Sequence, residues 1–171
     1  DAQRPWPAVD GRRNGRAGRV LNVAIRVTRR HEDTKMEHQD RIEALAAIVI
    51  DCGYHLHRSL GPGLLESAYE LILAKVIEGR GLQVSRQVSI PITYDGVVID
   101  NAFRADLLIE NTLLVELKSS ERIAPVHAKQ VLTYLRLMNL PLGLLMNFGQ
   151  PTFKSGLQRI ANDYFGQIGK R

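Results

Sequence analysis

Phe103-Arg104-Ala105-Asp106-Leu107-Leu108-Ile109-Glu110-Asn111-Thr112-Leu113-Leu114-Val115-Glu116-Leu117-Lys118-Ser119 is the stretch on which the fold turns. Two apolar runs, Phe103–Ile109 and Leu113–Ser119, flank the polar triplet Glu110-Asn111-Thr112, which predicts two neighbouring antiparallel strands. Three charges interrupt the apolar pattern: Asp106, Glu116 and Lys118. Side chains alternate along a strand, so Glu116 and Lys118 share one face while Val115 and Leu117 take the other. Charges in strands this apolar are costly to bury unless they are paired or bound to a metal.

Whether Asp106 joins that face depends on the loop. A two-residue loop at Asn111-Thr112 pairs Asp106 with Leu117 and sends it to the wrong side. A three-residue connection, Glu110–Thr112 or Asn111–Leu113, pairs it with Glu116 or Lys118. A common site therefore requires the odd loop, or a bulge with the same effect. Two carboxylates and a lysine on one face suit an oxygen-seeking divalent cation, Mg²⁺ or Mn²⁺. The lysine would then orient an attacking water while the metal stabilises charge on a phosphoryl oxygen. The competing reading is a partly exposed ion pair between Glu116 and Lys118 on a solvated sheet face, with Asp106 beside Arg104.

Outward from this pair, helical spacing runs from about Asp40 to Leu60 through Ile42, Leu45, Ala46, Val49, Ile50, Gly53, Tyr54, Leu56 and His57. Gly61-Pro62-Gly63 ends it. A second helix is expected from about Leu64 to Arg80, with Gly81 as its cap. Gln83–Tyr94 and Val97–Phe103 read as strands joined by an Asp95-Gly96 hairpin turn. Pro91 argues for an edge strand or a bulge. Pro125 suits the first turn of a helix reaching about Asn139, Leu142–Phe148 reads as a strand, and a last helix is expected over about Ser155–Tyr164. The order predicts an α/β sandwich with a mixed sheet and one parallel crossover near the end.

The chain has 171 residues, 44% hydrophobic and 24% charged, enough apolar material for one core. No apolar run reaches the ~18 residues of a membrane helix. The lone cysteine, Cys52, forms no internal disulfide and reads as core, and no apolar leader with a small-residue cleavage site opens the chain. The expected location is the cytoplasm, without membrane association. The net charge of +5 sits in residues 1–35, where nine Lys/Arg face four acids. From Met36 on, charge balances, so any nucleic-acid contact must rest on local residues. Residues 1–35 are expected to form a basic, disordered arm, and residues 36–171 the folded domain.

Other elements add to the charged strand pair. Glu66 opens the second helix after the glycine turn, where the helix dipole favours a carboxylate; it would serve as a further ligand or water-holder. Tyr69, three residues on, would hold Glu66 by hydrogen bond or packing. His127, Gln130 and Tyr134 form a polar stripe on the third helix, either solvated or in contact with phosphate or Lys118. Arg104, Arg122 and Lys129 could supply phosphate contacts. His55 and His57 are two apart on a helix and do not face the same way, so they do not make a metal site.

Gly63-x-x-Glu66-x-x-Tyr69, followed by Asp106, Glu116-x-Lys118 and Gln130-x-x-x-Tyr134, resembles the GxxExxY family of the PD-(D/E)XK nuclease superfamily over about residues 38–162. The resemblance implies a restriction-endonuclease-like mixed β-sheet flanked by helices. It also implies that Asp106 and Glu116, completed by Glu66, are metal ligands and that Lys118 is the catalytic lysine. Gln130 and Tyr134 would be the glutamine–tyrosine motif of the exonuclease-like branch. Ala105 stands where the superfamily's name has proline.

Two functions follow. One is a nuclease dependent on Mg²⁺ or Mn²⁺ that hydrolyses phosphodiester bonds in DNA. The alternative is a catalytically silent module that keeps this fold and binds nucleic acid or a protein partner. A homodimer or a larger complex that supplies DNA grip is a third reading.

Overall fold

A computed structural model describes the backbone of residues 15–162 and the side chains of residues 36–162. Its elements are α1 (Gly15–Leu60), α2 (Glu66–Glu78), β1 (Val84–Tyr94), β2 (Val97–Ile109), β3 (Leu113–Lys118), α3 (Pro125–Leu137), β4 (Leu142–Asn147), α4 (Phe153–Gly156) and β5 (Leu157–Ala161). Arg41–Arg171 form the compact unit that carries the sheet; Asp1–Asp40 form a separate one.

The five strands make one sheet in the order β1-β2-β3-β4-β5. β3 and β4 run parallel, joined across α3, and every other neighbouring pair is antiparallel. This is the expected mixed sheet with one parallel crossover. The Asp95-Gly96 turn has positive φ at both residues, 47° and 78°, as a tight hairpin needs. β1 lies at the sheet edge and its register shifts between Ile90 and Ile92, so Pro91 sits at a position that needs no ladder donor.

Strand alternation sorts the core into two layers. Leu113, Val115 and Leu117 of β3, with Leu142, Leu144 and Met146 of β4, pack against α1 (Ile42, Leu45, Val49, Cys52, Leu56) and α2 (Tyr69, Leu73, Ile77). Leu114 and Leu145 point the other way, onto Val131, Tyr134 and Leu135 of α3. Gly143 lets α3 approach: a Cβ there would stand 2.7 Å from Val131 Cγ1.

Several boundaries differ from the sequence reading. α1 begins at Gly15, well before Asp40. The expected basic arm falls on residues whose side chains, and whose backbone over residues 1–14, lie outside the described residues. β2 is one strand where two were expected. Its polar pair Asp100-Asn101 is accommodated by the Ser89 hydroxyl, 2.9 Å from the Asp100 carbonyl and 2.6 Å from Asn101 Oδ1. The expected helix over Ser155–Tyr164 is corrected to one turn, α4, followed by β5 on the edge of β4. Leu157 and Ile160 pack into opposite core layers, which a strand allows and a helix, with i and i+3 on one side, does not. Tyr164 lies outside the described residues.

Candidate active site

The β2–β3 connection is the three-residue loop Glu110–Thr112, with Ile109 paired to Leu113, Leu108 to Leu114 and Leu107 to Val115. Glu110 and Asn111 turn the chain in the left-handed region, at φ 50° and 52°. This parity puts Asp106 opposite Glu116, on the face the site requires. The ladder ends at Leu107, and the Asp106 side chain takes over: its Oδ2 accepts the Leu117 N–H at 2.8 Å. Lys118 Nζ donates to Glu116 Oε1 at 2.7 Å and to the Leu117 carbonyl at 2.8 Å. Glu66 Oε1 stands 3.6 Å from the same ammonium. The strand pair and the second helix thus bring Glu66, Glu116 and Lys118 together, and Asp106 is tied to the same strand.

Glu66 is the first residue of α2, where the dipole favours its charge. It follows a turn with Gly61 at φ 67° and Gly63 at φ 120°. Tyr69 does not hold Glu66, contrary to expectation. Its hydroxyl donates to the Gly61 carbonyl and accepts the Leu64 N–H at 3.2 Å, while its ring stacks on Phe148 with centroids 4.4 Å apart. Tyr69 therefore fixes the turn from which Glu66 starts.

Glu116 carries the strongest perturbation. It is 3% exposed, and its Oε2 has no hydrogen-bond partner among the described residues. Burial, and then the neighbouring Asp106 charge, push its pKa to about 7 against the opposing pull of Lys118. Asp106 is raised too, by burial first, with Glu66 and Glu70 adding to it; the Leu117 N–H and Lys118 oppose. Burial alone would lower Lys118, but the carboxylates of Glu116, Glu66 and Asp106 outweigh it and keep the ammonium charged.

Two residues of this neighbourhood escape the sequence reading. Glu70, one helical turn after Glu66, is buried, with Oε1 2.9 Å from Arg86 Nε and Oε2 2.6 Å from Gln87 Nε2. Gln87 Nε2 also reaches Asp106 Oδ1 at 3.4 Å. Gln87 sits at φ 51° directly opposite Asp106 in the unbroken register between the Arg86–Leu107 and Val88–Ala105 pairs, so its side chain meets Asp106 across the strand pair. A carboxylate amid the apolar residues of α2 was the available signal for Glu70; nothing local marks Gln87.

On α3, Gln130 donates to the Tyr134 hydroxyl. Tyr134 is buried, and burial first and then the Glu116 charge raise its pKa, which places its hydroxyl in the field of the acidic group. Of the alternatives for this stripe (a solvated face, phosphate, or Lys118), neither Gln130 nor Tyr134 hydrogen-bonds to Lys118 among the described residues. His127 turns away to accept the Ala124 N–H at the start of α3. Arg104, Arg122 and Lys129 are exposed. His57 binds the Gln150 carbonyl and His55 pairs with Asp51, so they go to separate partners.

Among the described residues, no three His, Cys, Asp or Glu side chains stand as a ready metal-holding cluster. The donor chemistry nevertheless fits a hard divalent cation. Glu66, Asp106 and Glu116 offer only oxygen, and Glu116 keeps a buried oxygen that nothing satisfies.

The family model of the PD-(D/E)XK nuclease superfamily matches residues 43–160, well over half of the chain. Among curated proteins and solved structures, none matches. No described helix is long and apolar enough to cross a membrane.

Proposed function

From the premise that this chain belongs to the PD-(D/E)XK nuclease superfamily, we propose that it is a divalent-metal-dependent nuclease of the GxxExxY type that hydrolyses phosphodiester bonds in DNA. The observation that carries this reading is the orphaned Oε2 of buried Glu116, beside Asp106 and Lys118. A structural ion pair has no use for an unsatisfied buried oxygen, and leaving one costs about 1–3 kcal/mol. Glu66, Asp106 and Glu116 would hold Mg²⁺ or Mn²⁺, which when bound supplies Lewis-acid polarisation of a phosphoryl oxygen.

The protein's own groups do the rest. Two of the three Lys118 N–H groups are taken, by Glu116 and the Leu117 carbonyl. Glu66 lies beyond hydrogen-bond distance, so the third is available to hold an attacking water or a non-bridging phosphate oxygen. The surrounding carboxylates keep Lys118 cationic, which suits it to stabilise developing negative charge rather than to remove a proton. The Leu117 N–H fixes one oxygen of Asp106. Tyr134, hydrogen-bonded by Gln130, packs against Ala105 and Leu114 on the sheet face toward α3.

The test is cleavage of single- and double-stranded DNA and RNA with Mg²⁺ or Mn²⁺, with Lys118→Ala as control. Wild type is expected to cut DNA, and Lys118→Ala to lose about a hundredfold or more of the rate with its circular dichroism unchanged. A wild type inert on all four substrates in both metals overturns the reading and favours the silent binding module.

A further inference from the structure

A cavity of about 370 Å³ opens along α3, lined by Phe103, Val126, Lys129, Gln130, Thr133 and Tyr134. Its wall is the ring of Phe103, 36% exposed on β2 and three residues before Asp106. That ring leans on Tyr134 with centroids 5.3 Å apart and planes tilted by 48°. Phe103 belongs to neither core layer, so its ring stays half open beside the proposed phosphodiester site. Val126, 60% exposed, extends the apolar surface.

The polar groups of the cavity complement a nucleotide. Gln130 gives an N–H to Tyr134, and its carbonyl oxygen accepts from no described group, so it is free for a donor on a base edge. Lys129 is exposed and makes no ion pair among the described residues, which leaves a cation for a phosphate. Tyr134 packs in one core layer with Ala105, the neighbour of Asp106, and Leu114, two residues before Glu116, so the cavity lies on the sheet face that carries the acidic group.

We infer that this cavity receives the base of an unpaired nucleotide next to the scissile phosphate, stacked on Phe103 with its phosphate against Lys129. The inference deepens the nuclease reading and rests on it. It makes single-stranded nucleic acid the substrate class, because a paired base has both faces covered by its neighbours and offers none to the ring.

The experiment measures anisotropy of labelled oligo-dT and of a labelled hairpin duplex with Mn²⁺, in a Lys118→Ala background that holds the strand without cutting it. Oligo-dT is expected to bind more tightly than the duplex. Phe103→Ala should weaken oligo-dT binding by about five- to a hundredfold, Phe103→Trp should preserve it, and Lys129→Ala should weaken it more modestly. Duplex binding should change far less with Phe103→Ala. The inference is overturned if a folded Phe103→Ala binds oligo-dT as its parent does, if both ligands are lost equally, or if the duplex binds better. Cleavage by otherwise wild-type protein is read separately. Phe103-dependent binding without cleavage keeps the pocket and removes the nuclease; cleavage indifferent to Phe103 does the reverse.

Discussion

Glu116→Gln should make the protein more stable in the absence of divalent cations, and only above mildly acidic pH. The buried carboxyl titrates at about 7 in the folded state against an ordinary 4.5. Between those values the folded protein holds a proton that the unfolded chain has released. Folding therefore takes up a proton, and stability falls as pH rises through the window, with the loss complete above about pH 7. The difference corresponds to about 3 kcal/mol, an upper figure for the gain from replacing the charge with an amide. At about pH 4.5 both proteins carry a neutral group there and should differ little.

Urea unfolding followed by circular dichroism, with chelator present, from about pH 4.5 to 8, measures this directly. Adding Mn²⁺ near neutral pH should reverse the ranking. A ligand that binds only the folded state stabilises it by about 4.1 kcal/mol at a thousand times its Kd, which exceeds that upper figure, and the variant lacks one of the proposed ligands. The reasoning fails if Glu116→Gln is no more stable than wild type at about pH 8 without metal, or if the difference is the same at both ends of the range.

Tyr69→Phe removes the hydroxyl that ties Gly61 to Leu64; it should cost about 1–2 kcal/mol in urea unfolding and reduce Mn²⁺-dependent cleavage by loosening the turn before Glu66. Glu70→Gln removes a charge that raises Asp106, so the acidic limb of the pH–rate profile should move to lower pH, with about 1–2 kcal/mol of stability lost as the Arg86 and Gln87 contacts weaken. Gly149→Ala drives a Cβ into the Ser120 carbonyl oxygen and to 2.6 Å from its nitrogen; thermal melts should show a loss of about 1–3 kcal/mol or more, because the backbone just after Lys118 must shift.

The part of this site that alternation governs was legible in the residues. Once strands were assigned on either side of Glu110-Asn111-Thr112, parity alone said that a three-residue loop brings Asp106 to Glu116, and the loop is of that length. The Asp95-Gly96 hairpin and Pro125 at the start of α3 were legible because each depends on a local dihedral requirement. What escaped depends on partners distant in the chain. β5 forms because β4 offers an unpaired edge, which no local propensity reports. Gln87 meets Asp106 because the β1–β2 register sets it opposite, and that register is a pairing between strands that no local pattern reports. Tyr69 was expected to meet Glu66 from its spacing, yet helical side chains lean toward the N-terminus, and a long one on the first turn reaches past the helix start to Gly61.

The charges near the site explain why these features occur together. Glu66, Asp106 and Glu116 face one ammonium, Lys118, while Glu70 is balanced by Arg86. The group therefore carries two excess negative charges, in a fold whose basic and acidic residues balance from Met36 on. A polyanion will not approach such a place unaided. Without a cation the cheapest relief is a proton, and Glu116, the most buried of the three, is the group whose pKa rises to about 7. A divalent ion, if held there as proposed, would relieve the same excess and satisfy the orphaned oxygen as well. In the proposed reaction, exposed Arg104, Arg122 and Lys129 would then face a strand whose charge the acidic group no longer repels. On the proposed reading, proton and metal would compete for one carboxylate, which would tie the pH dependence of folding to the metal dependence of the proposed reaction.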